Sequence, residues 1–257
     1  MHMVIVKKAI ITAAGIGSRM KYITSIMPKA VLPLFKWEDE KPVMFPMIDY
    51  IISKLSDAGV DEFCVILNHQ TDKAIISHLK QVNVRYEYQE NKKGFGDAVL
   101  FGEKFAGNEP VFVHADDGIL ADGYRTGARI FEEKNPDAVV FLREVPNPSR
   151  YGVVTLGEES KFEGHRLYRI TNAEEKPTNP KSNFALLATY IFSHKIFDSL
   201  RKVESKGEIE LTPAINNMIT NGGEVYGLLL PKEAWLNIGD PESYFKALKY
   251  TFENKFK

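Results

Sequence analysis

The residues best able to do chemistry in this chain are glycines and cations crowded into one short stretch. Residues 13–34 read AAGIGSRMKYITSIMPKAVLPL. Gly15 and Gly17 allow positive φ and let a ligand approach the backbone closely. Successive N–H groups in such a turn can cradle phosphate oxygens. Arg19 offers a planar fork for two phosphate oxygens, and Lys29 a compact point charge. Pro28 and Pro33 keep the stretch from being helical throughout. Together these residues suit the capture of a polyphosphate.

Two better-known phosphate motifs are excluded. Met20 and the absence of a third glycine rule out the dinucleotide fingerprint, as does the lack of an acidic residue closing a second strand about 20 residues on. No Gly-Lys-Ser/Thr ends the loop, so it is not a P-loop. A bare G-x-G is as often an ordinary strand-to-loop turn. Specificity comes from Ser18-Arg19 directly after it, then the Pro-Lys and Leu-Pro pairs downstream. A second candidate is the pair Asp116 and Asp117, which ends the apolar run VFVHADDG. Such a pair either caps a turn or supplies carboxylate to a metal. The two are adjacent, so their side chains are expected to diverge. His114, two residues earlier, reads equally as a buried strand residue.

The elements that must position these residues alternate along the first half. KKAIITAAG (7–15) predicts a buried strand running into the glycine loop. PMIDYIISKLSDAG (46–59) has helical spacing and a terminal glycine. EFCVILN, VRYEYQ, EPVFVHADDG and DAVVFLREV read as strands. TDKAIISHLK, FGDAVLFGEKF and YRTGARIFEEKN between them read as helices. Near-continuous apolar strands separated by helices predict a largely parallel sheet covered on both faces. In the second half YGVVTL, RLYRIT and NFALLATYIFS read as strands. LTPAINNMITN and PESYFKALKYTFENKF read as helices with VYGLLL between them. The expected organisation is one domain over 1–257, made of a first half (1–145) and a second half (146–257). The second half is expected as a lid or wall over the carboxyl ends of the first strands, where open α/β sheets bind ligands.

Composition narrows the class. The chain has 257 residues, 44% apolar and 26% charged, which fits a globular protein with a sizeable core. The net charge of −1 announces no nucleic-acid or membrane surface, so an anionic ligand must be held by local cations, backbone N–H groups or a metal. The single Cys64 excludes an internal disulfide framework and suits a reducing compartment. No apolar run approaches the ~20 residues of a membrane span, and the N-terminus lacks signal-peptide order. Met1 and His2 read as a cloning remnant.

The glycine loop resembles that of the sugar-1-phosphate nucleotidyltransferases, and most closely the glucose-1-phosphate uridylyltransferases and thymidylyltransferases. Their signature runs G-x-G-[ST]-R, then P-K, then a short apolar run and Pro. This chain supplies Gly15, Gly17, Ser18, Arg19, Pro28, Lys29 and Pro33. SRYGVV, EEKPTNPKSNFALLATYIF, GEIELTPAI and WLNIGDPESYFKA match further family segments in order, so the likeness covers nearly the whole chain. The resemblance implies a Rossmann-like α/β fold, a mixed, mostly parallel central sheet flanked by helices with a smaller β-rich sugar-binding part.

The resemblance also implies roles. Ala14, Gly15, Gly17 and Ser18 would lie against the nucleotide, Arg19 on the pyrophosphate end, and Lys29 near the α-phosphate or leaving group. Gln89 by side chain and Gly94 by backbone would read a pyrimidine base. Asp116 would hold Mg2+. Tyr151 would border the sugar, the Gly152 N–H would contact it, Glu175 would bind its hydroxyls and Lys176 its phosphate. Gly207, Glu208 and Thr212 would lie near the sugar. Asn237 stands where the family often has a second metal-binding Asp, and an amide oxygen is a poorer ligand for magnesium. Either Asn237 ligates weakly, or Asp116 and phosphates hold the metal alone, or the chain is an impaired relative. Asp240 is a possible substitute. Pro213 is a second departure, standing where many relatives carry Asp.

The implied reaction joins a nucleoside triphosphate and a sugar 1-phosphate. UTP and glucose 1-phosphate are favoured, with dTTP or a non-catalytic nucleotide-sugar-binding role as alternatives. The nucleophile is already an ionised phosphate, so catalysis is positioning plus electrostatics. The resemblance further implies a cytoplasmic homo-oligomer, a dimer or tetramer. The acyltransferase domain fused to some relatives is not expected.

Overall fold

A computed structural model of the chain describes residues 5–70, 72–80, 82–204 and 207–254. Met1 and His2, Thr71 at the start of one expected helix and residues 255–256 at the end of another lie outside the described residues.

The first half alternates as its sequence predicts. β1 (Lys8–Thr12) leads through a long loop to the hairpin β2 (Pro33–Glu38) and β3 (Lys41–Pro46). Then come α1 (Met47–Asp57), β4 (Glu62–Leu67), α2 (Asp72–His78) and β5 (Val84–Tyr88). α3 (Phe95–Phe101), α4 (Glu103–Ala106) and β6 (Val111–Ala115) follow. β7 (Gly118–Leu120), α5 (Tyr124–Lys134) and β8 (Ala138–Glu144) complete this half. The second half runs β9 (Gly152–Phe162), β10 (His165–Glu175), β11 (Phe184–Phe192), α6 (Lys195–Arg201) and α7 (Leu211–Thr220). β12 (Val225–Leu229), β13 (Trp235–Asn237) and α8 (Pro241–Glu253) end it.

A nine-stranded sheet has the order β5-β4-β1-β6-β11-β8-β12-β10-β9. β1, β4, β5 and β6 pair in parallel, as do β8 and β12. Within this sheet β11 and β10 run against the rest, so it is mixed and mostly parallel. Successive side chains alternate faces, and Ile10 and Ile11 fall into two separate apolar clusters, one on each face. Phe112 and Phe141 fill one face, Val113 and Val140 the other. Each such fully buried side chain stabilises by about 1.5–3 kcal/mol relative to exposure.

Four features depart from the sequence reading. Strands of the second half extend the central sheet through β11, β9, β10 and β12, rather than only overlying strand ends. FGDAVLFGEKF is two helices broken at Gly102, where a Cβ would drive into the Ile10 side chain on β1. YGVVTL is the start of an eleven-residue strand in a long hairpin with β10. The β2–β3 hairpin and α6 carry no clear sequence signal. The hairpin turns through Asp39 and Glu40, both at positive φ (48° and 61°), without the Asn-Gly that such turns usually use.

The strand order fixes where a ligand can sit. From β1 the chain winds outward to β4 and β5, then returns to the opposite side of β1 as β6. The carboxyl ends of β1 and β6 therefore flank a topological switch point, where a crevice opens.

Candidate active site

The switch point brings the two motifs together. Thr12 and Ala115 are neighbours at the ends of β1 and β6, and the Asp116 N–H donates to the Thr12 carbonyl at 3.1 Å. The glycine loop leaves β1 and the two aspartates leave β6. Gly17 sits at φ 61°, and its carbonyl accepts from the Thr24 hydroxyl at 2.8 Å. A Cβ at Gly17 would lie 2.7 Å from Thr24 Cγ2. Gly15, expected to use the same freedom, has no positive φ among the described glycines; its place lies over Asp116, 3.9 Å from Oδ1 to an added Cβ.

Lys29 lies in a single 3-10 turn after Pro28, which the proline's fixed φ starts. It folds back under the loop, and its Nζ is 3.3 Å from Asp116 Oδ1, with both residues buried. Burial pushes the Asp116 carboxyl above its ordinary value, while the Lys29 charge pulls it back. A buried pair of this kind is costly to split, because either partner alone leaves an uncompensated charge.

His114 anchors the turn that carries the aspartates. It is fully buried, with Nδ1 2.7 Å from the Ala115 carbonyl and Nε2 2.7 Å from the Tyr124 hydroxyl. A carbonyl only accepts, so Nδ1 carries the proton and Nε2 accepts from Tyr124. The Tyr124 oxygen also accepts the Leu120 N–H at 3.1 Å, which ties both ends of the turn to one network. Burial holds the imidazole down at about 4.

Two cavities open beside this turn and share Asp117 and Ala188. The smaller, about 370 Å³, is lined by Ala14, Gly15, Lys29, Gln89, Gly94 and Asp116 among others. The larger, about 690 Å³, is lined by Arg19, Tyr151, Lys176 and Asn237, and also by Arg143, Arg150 and Lys246. The loop thus sends Arg19 and Lys29 to different cavities.

In the smaller cavity the Ala14 carbonyl accepts from the Asn68 amide, which fixes the loop's first turn. Gly94 has φ 95° and starts α3, and a Cβ there would meet the Ile209 backbone at 2.6 Å. Glu208 lines this cavity too, rather than the larger one.

The sugar-binding candidates come together at the start of the β9–β10 hairpin. Gly152 pairs with Glu175, and the Thr212 hydroxyl donates to Glu175 Oε2 at 2.6 Å. A Cβ on Gly152 would overlap the Thr212 hydroxyl, so only glycine lets the two elements meet. Tyr151 borders the larger cavity, with the Arg143 guanidinium 5.8 Å from its ring centre. Lys176, at φ 43°, places Nζ 2.9 Å from Glu175 and 3.1 Å from Glu210. Partial burial lowers its affinity for a proton, but the hydrogen bonds to the two carboxylates outweigh this and raise it. Gly207 and Ser18 line neither cavity.

At the opposite wall Asn237 pairs with Gly118, and the Ile238 N–H donates to the Asp117 carbonyl at 2.7 Å. Asn237 Oδ1 already accepts from the Gly239 N–H at 2.9 Å. Asp240 caps α8: its oxygens accept from the Ser243 N–H and hydroxyl, both at 2.9 Å. Both carboxylate oxygens of Asp240 thus have helix-cap work. Pro213 falls within the first turn of α7, where a missing N–H costs nothing.

Among the described residues no three His, Cys, Asp or Glu converge into a metal cage. Magnesium is usually held by only one or two carboxylates plus phosphates and water, so the donor set fits that ion. The most telling atom is Asp117 Oδ1, buried with no hydrogen-bond partner at the seam of the two cavities. The sequence signal for Asp117 was the Asp-Asp pair; the family resemblance favoured Asp116, and adjacency set Asp117 aside. Arg143, Arg150 and Lys246 lacked any signal beyond their charge. Arg150 adjoins Tyr151, whereas Arg143 and Lys246 reach the cavity only through the packing of β8 and α8.

Comparison with known proteins shows the family. The family model described as Nucleotidyl transferase matches residues 8–254. The chain is 29% identical over 255 residues to the low-salt glycan biosynthesis nucleotidyltransferase Agl11 of Haloferax volcanii, covering 96% of this chain and 67% of that one. It is 29% identical to the UTP–glucose-1-phosphate uridylyltransferase of Mycoplasma pneumoniae, over 96% of this chain and 92% of that protein. It is 27% identical to the glucose-1-phosphate thymidylyltransferase of Streptomyces antibioticus, over 91% of this chain and 63% of that protein.

Proposed function

The chain belongs to the nucleotidyl transferase family, and we propose that it moves the UMP group of UTP onto glucose 1-phosphate. It is a sugar-1-phosphate nucleotidyltransferase. The observation that carries the finer reading is the paired cavity. One chamber ends at Gln89 and Gly94, the other at Tyr151 and Lys176, and they meet at Asp117 beside the Lys29–Asp116 pair.

In the reaction an oxygen of the sugar 1-phosphate attacks the α-phosphorus. A new P–O bond forms as the bond to the β-phosphate breaks, and pyrophosphate leaves. No proton must be removed from the nucleophile. Lys29 neutralises charge at the α-phosphate, and Arg19 grips the departing pyrophosphate. Lys176 leaves its two carboxylates to meet the sugar phosphate, while Glu175, set by Thr212, accepts from sugar hydroxyls. Gln89 and Gly94 read the base. Asp116 and Asp117 are the carboxylates that would hold magnesium, with Asn237 at the margin. The ion would offset charge on the phosphates when bound. Such fixed charges in a half-dry crevice are worth far more than in water.

The dTTP reading stands second, because relatives carry both names and one methyl is worth only about 1–3 kcal/mol in a pocket. Pyrophosphate release with glucose 1-phosphate and magnesium, compared across UTP, dTTP, CTP, ATP and GTP, tests both. UTP is expected to give the highest kcat/KM. Turnover confined to purines would sink the base assignment. We place the enzyme in the cytoplasm as a homo-oligomer, a state that light scattering reads directly. Among the described residues no helix is long and apolar enough to cross a membrane.

A further inference from the structure

The base end of the smaller cavity holds an amide whose orientation is not free. Gln89 follows β5, is 6% exposed and lines the cavity. Its backbone N–H donates to the Leu67 carbonyl at 2.9 Å, so the residue is an extension of the sheet edge. Its side-chain Nε2 donates to Asp97 Oδ2 at 2.8 Å and to the Gly94 carbonyl at 3.1 Å. A carboxylate and a carbonyl only accept, so both amide hydrogens are spent inside the protein. Turning the amide over would set Oε1 against two oxygens. The network therefore decides an orientation that an amide's shape alone would leave open. Among the described residues Oε1 accepts no bond and is not sealed from solvent, and Gln89 lines the cavity, so Oε1 is the part of the amide that faces it.

Asp97 lies in the first turn of α3, the helix that Gly94 starts. The favourable helix N-terminus and the Gln89 amide hold its carboxylate together. Replacing it by an apolar or amphoteric group would release one of the two locks on Gln89.

We propose that Asp97 is a positioning residue for base selection: by consuming the Gln89 N–H groups it presents the cavity with an acceptor. The site then admits a base whose edge carries an imide N–H and rejects one whose ring nitrogen offers a lone pair. Uracil and thymine carry N3–H; the N3 of cytosine is a bare acceptor. This rests on the reading that Gln89 contacts the base. Asp97 itself need not touch the nucleotide, and its effect is on which base is accepted, not on the phosphoryl step.

The test measures kcat and KM for UTP and CTP with glucose 1-phosphate, in the wild type, Asp97→Asn, Asp97→Ala and Gln89→Leu, alongside thermal midpoints. In Asp97→Asn the new amide can turn its own N–H toward Gln89 and let Gln89 turn over. The UTP-to-CTP ratio of kcat/KM is expected to fall about tenfold or more, as for exchanging one satisfied hydrogen bond for an opposed one. The change should sit mainly in KM for UTP, with the thermal midpoint near that of the wild type. Asp97→Ala should move the ratio the same way by less, since the Gly94 carbonyl still holds one N–H. A ratio unchanged in Asp97→Asn, or an equal loss for both nucleotides, overturns the proposal. Gln89→Leu separates the two layers. If it leaves KM for UTP unchanged, the base contact itself is wrong and the positioning role goes with it. If it raises KM for UTP while Asp97→Asn keeps the wild-type ratio, the positioning role alone is wrong.

Discussion

In the smaller cavity Lys29 and Gln89 are held by buried partners before any ligand arrives; in the larger one Arg19 and Arg150 are exposed, and Lys176 and Lys246 pair only at the surface. Lys29 and Asp116 are buried against each other, and Gln89 is held by Asp97 and Gly94. Arg19, Arg150 and Lys246 line an open chamber, and Lys176 keeps more than half of its side chain exposed even while paired. The difference teaches a division of labour. Buried, pre-paired groups select shape and protonation pattern at little reorganisation cost. Exposed cations attract anions in general and are weakened by salt.

The contrast is sharpest at Lys29. Lys29→Ala should lower kcat by about 100-fold or more, as for loss of one strong transition-state contact. Asp116→Ala should do the same, and both should lower the thermal midpoint because the remaining charge is buried unpaired. Single-turnover kinetics checks the first effect and thermal melting the second. Near-normal turnover in either variant removes that residue from the mechanism.

The next effect is on stability. His114 is held near 4, below its ordinary 6.5, so the unfolded chain binds a proton that the folded chain refuses between those values. The stability this neutral imidazole brings is present above about pH 6.5 and is lost as pH falls toward 4, by roughly 2 kcal/mol over the first two units. Urea unfolding at pH 7 and pH 4.5 reads it, and His114→Gln should flatten that difference. An equal slope in the variant would assign the acid sensitivity to other groups.

Arg19→Ala, on the open side, should cost about tenfold in kcat/KM, less than Lys29→Ala, and the loss should shrink as salt rises. Should Arg19→Ala cost as much as Lys29→Ala at every ionic strength, the distinction between the cavities would fail. The smallest effect belongs to Lys246, which pairs with Glu242 on the α8 surface at 2.6 Å. Lys246→Ala should change KM for glucose 1-phosphate by about threefold or less. A larger change would promote this rim lysine to a substrate contact.

Much of this was legible in the chain. The buried parallel strands are near-continuous apolar runs, so KAIIT, EFCVIL and VFVHA declared themselves, and the helices between them kept their spacing. The glycine loop was legible because positive φ at Gly17 and a proline start for Lys29 are local demands. The β2–β3 hairpin was not, because Asp39 and Glu40 are no standard turn pair and the hairpin packs against α8, far along the chain. The helix break at Gly102 was hidden too, since its cause is Ile10, on a strand far away in sequence.

The sequence by itself determined that a glycine loop follows a buried strand, and which cations and carboxylates stand near it in the chain. Local φ limits, apolar periodicity and charge are properties of short segments, so they survive without the fold. Tertiary structure alone decided the pairings. Lys29 meets Asp116, Asp97 orients Gln89, Thr212 sets Glu175, and Asp117 faces the seam, because strand order and helix packing bring together residues the chain keeps apart. Distance and burial set the worth of a charge, and neither is written in a segment's own composition.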